Sequence, residues 1–262
     1  MSEETNRIAV RIVEHVRRRY ADRMVEDVRI GLGYVGVALE GGGLGVSALL
    51  RNELAGGCTT FPGAGTLRGR QAWDLLSFLV SGKNTLQKAI GLAAANALIE
   101  PEKTEEGDSI DLMKLTPRDR VAMVGLFRPL VKRIRTTGAE LDIIERDESR
   151  IPLQHAGTVS DLLARCTVAI ITATSLLNDT LDGILRDLGA PRHVVILGPS
   201  TPLCMEVFND SPVTHLGGSI VGDRDRLMQI ISEGGGTPEM RSCLRFVNIT
   251  RTASPVPEGR PL

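Results

Sequence analysis

The sequence predicts an α/β protein made of an N-terminal α+β unit and a C-terminal unit with a doubly wound, mostly parallel sheet. In the second half, short apolar runs of strand length alternate with helical segments, which is the order of βαβ units. In the first half the order is one helix, three strands with alternating apolar residues, and two helices. A charged, proline-flanked stretch at 101–119 separates the halves, so we expect units at 1–105 and 106–250.

The bulk composition is that of an ordinary globular protein. Its 262 residues are 42% hydrophobic and 24% charged, which excludes disorder along the whole chain. A net charge of −1 and 3% aromatic residues argue against a general nucleic-acid binder. The start is polar and acidic, and no apolar run is long enough to cross a bilayer, so we expect a cytoplasmic protein with no nucleic-acid or membrane partner. The tail at 251–262 is predicted to be disordered.

Two glycine-rich motifs in the first unit resemble phosphate-binding loops. The stretch "GLGYVG" at 31–36 has the spacing of the dinucleotide fingerprint, but a β-branched run follows it where the fingerprint requires a helix. The stretch "EGGGLG" at 40–45 lacks the Lys-Ser/Thr ending of a P-loop. We therefore interpret the first as a site of bulging or close packing and the second as a hairpin turn.

In the second unit, strands and helices alternate at short spacing. We predict strands at 120–125, 140–146, 167–174, 193–198 and 213–218, and helices at 129–138, 159–166, 178–189, 201–208 and 223–235. The segment 245–249 is a candidate edge strand. In such sheets the carboxyl ends of the strands form the ligand crevice.

Small and hydroxyl-bearing residues follow these strands and are the predicted ligand-binding group. Gly125 ends the first strand, although Phe127 and Leu130 replace the later glycines of the fingerprint. The full group of predicted binding residues is Gly125, Phe127, Thr172, Thr174, Asn178, Gly198, Pro199, Ser200 and, from the first unit, Asn84. Several also suit helix caps, and for Asn84 we favour the cap of the helix that follows it.

Two residues are candidate acid/base groups. Glu145 ends the second strand, twenty positions after Gly125, where an acidic group commonly meets a ribose hydroxyl; a surface glutamate is the competing interpretation. His215 is placed at a strand's carboxyl end, and its pKa range suits proton transfer or metal ligation. Cys58, Cys166, Cys204 and Cys243 are scattered, so disulfides and a structural zinc site have little support.

The sequence resembles a prokaryotic heavy-metal chelatase family, formerly a domain of unknown function. The resemblance covers most of residues 5–235, through "VRIGLGYVGVAL", "NTLQKAIGLAAANAL", "VAMVGLFRPLVKRI", "TVAIITATSLLNDTLDGIL", "VVILGPSTPL" and "VTHLGGSIV". It implies an enolase N-terminal-like domain followed by a Rossmann-like domain, with one site between them. Ala173 and Asp179 stand where many relatives carry glycine, which adds bulk beside the crevice.

The resemblance implies metal-chelator metabolism, with condensation or hydrolysis of a pterin-, flavin- or siderophore-like molecule at the interdomain cleft. The expected partner is a small polar or anionic ligand. The cofactor is not identified from the sequence; a metal ion and a metal-chelating small molecule are the candidates. The alternatives are a non-enzymatic carrier of metal or metal chelate, and a methyltransferase-like enzyme that uses S-adenosyl-methionine. A homodimer is the base-rate expectation.

Overall fold

The computed structural model describes residues 7–54, 61–145 and 158–251. Its helices are α1 Arg7–Arg19, α2 Ala72–Ser81, α3 Thr85–Leu98, α4 Ser109–Met113, α5 Arg128–Thr136, α6 Val159–Arg165, α7 Leu181–Asp187, α8 Arg224–Ser232 and α9 Thr237–Met240. Its strands are β1 Val25–Ile30, β2 Tyr34–Leu39, β3 Leu44–Ala48, β4 Glu105–Glu106, β5 Arg120–Val124, β6 Glu140–Ile144, β7 Val168–Thr172, β8 His193–Leu197, β9 His215–Val221 and β10 Leu244–Thr250.

The N-terminal unit is a three-stranded antiparallel sheet, β1-β2-β3, with α3 packed across β2 and β3. On its other face, α8 of the second unit packs against β1 and β2. Every residue of β2 is therefore buried. Because both faces of the small sheet are covered, and one cover comes from the other half of the chain, the two units share a continuous apolar core.

Glycines allow these close approaches. A Cβ at Gly31 would lie 2.0 Å from the backbone oxygen of Ile231, and one at Gly45 would lie 2.1 Å from that of Ala93. "GLGYVG" therefore serves packing against α8, and "EGGGLG" forms the turn between β2 and β3, with Gly43 accepting a hydrogen bond from the Leu39 amide (3.0 Å). Both interpretations made from the sequence are confirmed.

The C-terminal unit has a seven-stranded sheet in the order β4-β10-β9-β8-β7-β5-β6. The five strands from β6 to β9 are parallel, and β10 and β4 continue the sheet antiparallel. The chain winds from β5 to β6 on one side and then returns to β7 on the other side of β5. The point between β5 and β7 is therefore the topological switch point, where ligands of doubly wound sheets bind. The predicted fold class is confirmed.

Four details differ from the prediction. The segment 245–249 is not an edge strand, because β10 pairs with β9 on one side and with β4 on the other. The expected helix at 201–208 is a 3₁₀ turn, Met205–Phe208. The last parallel strand runs from His215 to Val221, later than the predicted 213–218. Arg251, expected in the tail, donates to the Phe208 carbonyl at 2.7 Å; residues 252–262 lie outside the described residues.

The two units are joined by polar contacts at a seam around Ser200. The Ser200 hydroxyl accepts a hydrogen bond from the Ala48 amide at the end of β3 (2.8 Å). The Asn96 side-chain amide of α3 donates to the Ser200 carbonyl (3.1 Å) and to the Val46 carbonyl (2.9 Å). Since Ser200 is only 2% exposed, the seam excludes water. It places the end of β3 over the carboxyl edge of the large sheet.

A cleft at the switch point as the candidate functional site

A cleft of about 1280 Å³ opens at the carboxyl ends of β5, β6 and β7. Its floor comes from the residues that follow these strands, and its roof comes from Leu49–Glu53, which follow β3. The walls beside the floor are apolar and include Val159, Leu163 and Ile184 from α6 and α7. Both units therefore build one site. Its volume is that of a pocket for a small organic molecule and greatly exceeds that of a metal ion.

Gly125 sets the distance between the two switch-point strands. It has a φ of +84°, and a Cβ at this position would lie 2.8 Å from Cγ2 of Thr172. A side chain would thus be strained and would collide with the end of β7. Glycine at this position lets the Gly125–Phe127 turn pass close beside Thr172 at the floor of the cleft.

Glu145 folds back onto the turn that opens α5. Its Oε2 accepts a hydrogen bond from the Leu126 amide at 3.1 Å. In dinucleotide-binding sheets, amides of this turn and of the first helical turn face a phosphate. Here a carboxylate is bonded to one of them, and Pro129 in the first turn of α5 has no N–H to offer. The turn is therefore poorly suited to a phosphate.

Two threonine hydroxyl groups at the end of β7 form a hydrogen-bonded pair on the opposite wall of the cleft from Glu145. The Oγ1 atoms of Thr172 and Thr174 are 2.9 Å apart, and the Thr174 amide approaches Oγ1 of Thr172 at 3.4 Å. Whichever hydroxyl donates within the pair, the other keeps a hydrogen for which the described residues show no acceptor. Beyond it, the Thr180 hydroxyl donates to Oδ1 of Asn178 at 2.7 Å. The cleft therefore offers hydroxyl and amide groups on one wall and a carboxylate on the other.

An ion pair between a buried lysine and a partly exposed aspartate joins the units next to this wall. Lys88 of α3 is bonded to Oδ2 of Asp179, and their side chains are 9% and 21% exposed. Asp179 has a φ of +58°, a backbone conformation that favours glycine. Here the ion pair holds a non-glycine residue in the left-handed region.

Most of the predicted binding residues meet in the cleft. The predicted site residues among its lining are Gly125, Phe127, Glu145, Thr172, Thr174 and Asn178. The predicted residues of the loop after β8 are not among the described residues that line the cleft. Gly198 donates its amide to the Gly217 carbonyl (3.0 Å), Pro199 lines a different cavity, and Ser200 belongs to the seam. Asn84 caps α3 by accepting from the Gln87 amide at 2.9 Å, as favoured from the sequence.

His215 is not where the sequence analysis placed it. It is the first residue of β9, at the amino end of the strand and away from the edge that forms the cleft. It is 3% exposed, and its Nε2 lies 2.8 Å from Oδ1 of Asn248. The Asn248 amide donates to the Gly107 carbonyl (2.9 Å), which fixes Oδ1 as the acceptor and Nε2 of His215 as the donor. Burial lowers the pKa of His215, so the geometry describes a neutral histidine that joins β9 to β10.

The described cysteines are unpaired and buried. Burial raises the pKa of the Cys166 thiol to about 11 and raises that of Cys204 further, so neither is a ready thiolate at neutral pH. Within residues 7–54, 61–145 and 158–251, no group of three or more His, Cys, Asp or Glu side chains is placed to hold a metal ion. In the same ranges, no helix has the length and apolarity that crossing a membrane requires.

Two parts of the site are only weakly signalled in the sequence. In the roof, the polar run "RNE" after β3 points to Glu53, while Leu49 and Leu50 read as the end of a strand. The Lys88–Asp179 pair was not predicted. A lone lysine in the alanine-rich, buried helix α3 was the available signal, because a buried ammonium requires a partner.

Comparisons with known proteins agree with this architecture. Residues 108–250 match the model of the DUF364 family and residues 13–99 match that of DUF4213, both described as "Putative heavy-metal chelation". The chain is similar to an uncharacterized protein of Methanocaldococcus jannaschii, 28% identical over 153 residues, which cover 55% of this chain. The match spans 58% of that relative's length.

Two solved structures share the fold. A DUF364 protein of unknown function from Pyrococcus horikoshii superposes with a TM-score of 0.78 at 22% identity, covering 95% of this chain and all of that one. A second DUF364 protein of unknown function, from Desulfitobacterium hafniense DCB-2, gives a TM-score of 0.77 at 20% identity, covering 94% and 98% of the two chains.

Fold and site thus define a class of protein in which a small antiparallel sheet roofs the switch point of a doubly wound sheet. Within that class, the chain belongs to the DUF364 family, whose model matches more than half of its length. The resemblance stated from the sequence is confirmed.

Proposed function

We propose that the cleft binds a small metal-chelating organic molecule and that the protein acts in the metabolism of that chelator. The observation that carries this proposal is the convergence of both units on one cleft at the switch point. The family description supports a role in heavy-metal chelation. The cleft volume of about 1280 Å³ favours an organic chelator, free or metal-loaded, over a bare ion.

The polar groups suit the heterocyclic or amide-rich compounds that chelate metals. The Thr172–Thr174 pair has a hydrogen to donate to a carbonyl or ring nitrogen, and Phe127 and Leu50 provide apolar surface for a flat body. We assign Glu145 the acid/base role in condensation or hydrolysis of a pterin-, flavin- or siderophore-like molecule. Its bond to the Leu126 amide favours a ligand without phosphate, since a phosphate would meet the carboxylate.

Native mass spectrometry with elemental analysis tests the proposal. The wild-type protein is incubated with a low-molecular-mass cell extract and compared with Thr174→Val. We expect an organic molecule on the wild type and about fivefold weaker retention by the variant, the effect of one lost hydrogen bond. Once the bound molecule is identified, Glu145→Gln should bind it and leave it unconverted.

Thr136→Val is the matched control, because Thr136 is an exposed threonine at the opposite end of α5 from the cleft. It should retain the ligand like the wild type. The proposal fails if stoichiometric metal binds without an organic molecule, which would favour a metal carrier. It also fails if Thr174→Val and Thr136→Val retain the molecule equally well.

A further inference from the structure

Arg51 brings a positive charge to the roof of the cleft. It begins the 3₁₀ turn Arg51–Glu53 after β3, and it is the one cationic residue in the described lining of the cleft. Its backbone amide donates to the Leu49 carbonyl at 3.0 Å. Its guanidinium, in contrast, has no carboxylate or carbonyl partner among residues 7–54, 61–145 and 158–251. The donors of this guanidinium are therefore available to a molecule in the cleft.

The backbone just before Arg51 is held in place by both units. The Leu49 amide donates to the Gly33 carbonyl at 2.9 Å, which joins the start of the roof to the turn between β1 and β2. The Ala48 amide donates to the Ser200 hydroxyl at 2.8 Å. Arg51 follows this backbone by two residues and is itself exposed, so a ligand can reach its side chain.

Two carboxylates line the same cleft and restrict where an anionic group can bind. Glu145 lies at the floor, where it accepts from the Leu126 amide at 3.1 Å. Glu53 lies in the roof, two residues after Arg51. Because a 3₁₀ helix has three residues per turn, the side chains of Arg51 and Glu53 leave it in directions about 120° apart. An anionic group is therefore attracted to the Arg51 side of the roof and repelled by Glu145 at the floor.

A single arginine suits a carboxylate better than a phosphate. Phosphate sites of doubly wound sheets use several backbone amides at the start of the first helix. Here Glu145 already accepts from the Leu126 amide, and Pro129 has no N–H. The charge and the two donor groups of one guanidinium match the single charge and the two oxygens of a carboxylate.

The apolar part of the lining suits a flat organic body. Leu50 in the roof and Phe127 at the floor both line the cleft. Val159, at the start of α6, lines it as well and is 52% exposed. A ligand that covers these side chains gains free energy from removing apolar surface from water. The ligand therefore combines an apolar body with an anionic group at one end.

From this arrangement we propose that the ligand of the cleft is a chelator with a free carboxylate, which the Arg51 guanidinium binds. The inference rests on the proposed function, because it names the chemical class of the molecule bound there. A guanidinium donates two parallel hydrogen bonds to a carboxylate, and a neutral amide of the same shape cannot accept both. The hydroxyl groups of Thr172 and Thr174 then serve a carbonyl or ring nitrogen of the same molecule.

Two flat chelators of nearly the same shape test the proposal. Picolinate has a carboxylate beside its ring nitrogen, and picolinamide has a neutral amide at the same place. We expect picolinate, titrated into the ¹⁵N-labelled protein, to shift the amide resonances of Leu50 and Arg51. It should bind about fivefold more tightly than picolinamide, and added salt should reduce this preference because the extra attraction is between charges. Equal affinities, or no binding of picolinate, would overturn the inference.

Variants of Arg51 show whether this side chain causes the preference. Arg51→Gln should bind the two probes equally well, and Arg51→Lys should restore part of the preference, since it returns the charge without the paired donors. Arg118→Gln is the matched control, because Arg118 is an exposed arginine just before β5, at the edge of the sheet opposite the cleft. It should keep the preference of the wild type.

Thr174→Val separates failure of this inference from failure of the proposed function. If Thr174→Val weakens the binding of both probes while Arg51→Gln changes neither, the probes bind in the cleft, but the assignment of a carboxylate to Arg51 is wrong. If neither variant changes binding, the probes bind elsewhere and the inference is also wrong. Displacement of picolinate by inorganic phosphate at constant ionic strength would favour a phosphate ligand and overturn it too. The incubation with cell extract tests the proposed function independently of Arg51.

Discussion

At the scale of the residue, the floor of the cleft depends on the missing side chain of Gly125. We expect Gly125→Ala to lower the free energy of unfolding by about 2–3 kcal/mol, the sum of a left-handed backbone and overpacking against Thr172. Gly65→Ala is the matched control, because Gly65 has the same φ of +84° and nothing within 4 Å of the added Cβ.

The difference between these two variants, measured by urea unfolding, isolates the collision. Thr172→Ser removes the methyl group involved and should restore part of the stability of Gly125→Ala. Equal losses in Gly125→Ala and Gly65→Ala would show that the floor relaxes freely around an added methyl group, contrary to the geometry described.

At the scale of the elements, Asp119 joins the amino ends of three parallel strands through hydrogen bonds, at the edge of the sheet opposite the cleft. It accepts from Arg192 through both oxygens, at 3.0 and 2.9 Å, and from the Thr167 hydroxyl at 2.9 Å. The Arg192 guanidinium, followed by hydrogen bonds from Thr116 and Thr167, holds the pKa of Asp119 well below its usual range. One carboxylate thereby ties the starts of β5, β7 and β8 together.

The lowered pKa of Asp119 predicts how stability responds to acid. A carboxyl whose pKa is lower in the folded state contributes full stability above its unfolded pKa of about 3.9 and loses it as the pH falls toward the folded value. We expect Asp119→Asn to cost about 2 kcal/mol at pH 7 and to differ progressively less from the wild type below about pH 4. Urea unfolding across this range measures both curves, and a gap that widens in acid would contradict the assignment.

At the scale of the whole molecule, the Lys88–Asp179 pair connects the units beside the cleft. We expect Lys88→Met to destabilise the protein by about 3 kcal/mol, because it leaves the largely buried Asp179 carboxylate, 21% exposed, without a cation. The double variant Lys88→Met/Asp179→Asn should be more stable than Lys88→Met alone. A double-mutant cycle from the unfolding curves of the wild type, the two single variants and the double variant gives the coupling free energy between the two side chains. Additive effects of the two substitutions would show that the ion pair does not stabilise the protein.

The sequence predicts those elements whose signals lie within one short stretch of the chain. Strands β5, β7 and β8 are covered on both faces, so they read as unbroken apolar runs and were located closely. Gly217 and Gly218 looked like the end of a strand but lie inside β9, where Leu197 and Leu203 occupy the space of their missing side chains. β4 has two exposed residues and no apolar pattern.

The candidate site was predictable on one side only. Its floor could be predicted because the carboxyl ends of parallel strands meet at one edge, which brought Gly125, Glu145 and Thr172 together. The roof and the Ser200 seam depend on contacts between residues far apart in sequence, such as Ala48 with Ser200, and no local pattern encodes them. His215 was misplaced because the end of its strand was set too early.

The hydrogen bond between Ala48 and Ser200 lies between the cleft and the cavity lined by Thr201 and Ser219. If a ligand in either space breaks this hydrogen bond when it binds, it also changes the geometry of the other space. Linkage then requires that the two ligands change each other's affinity by the same factor.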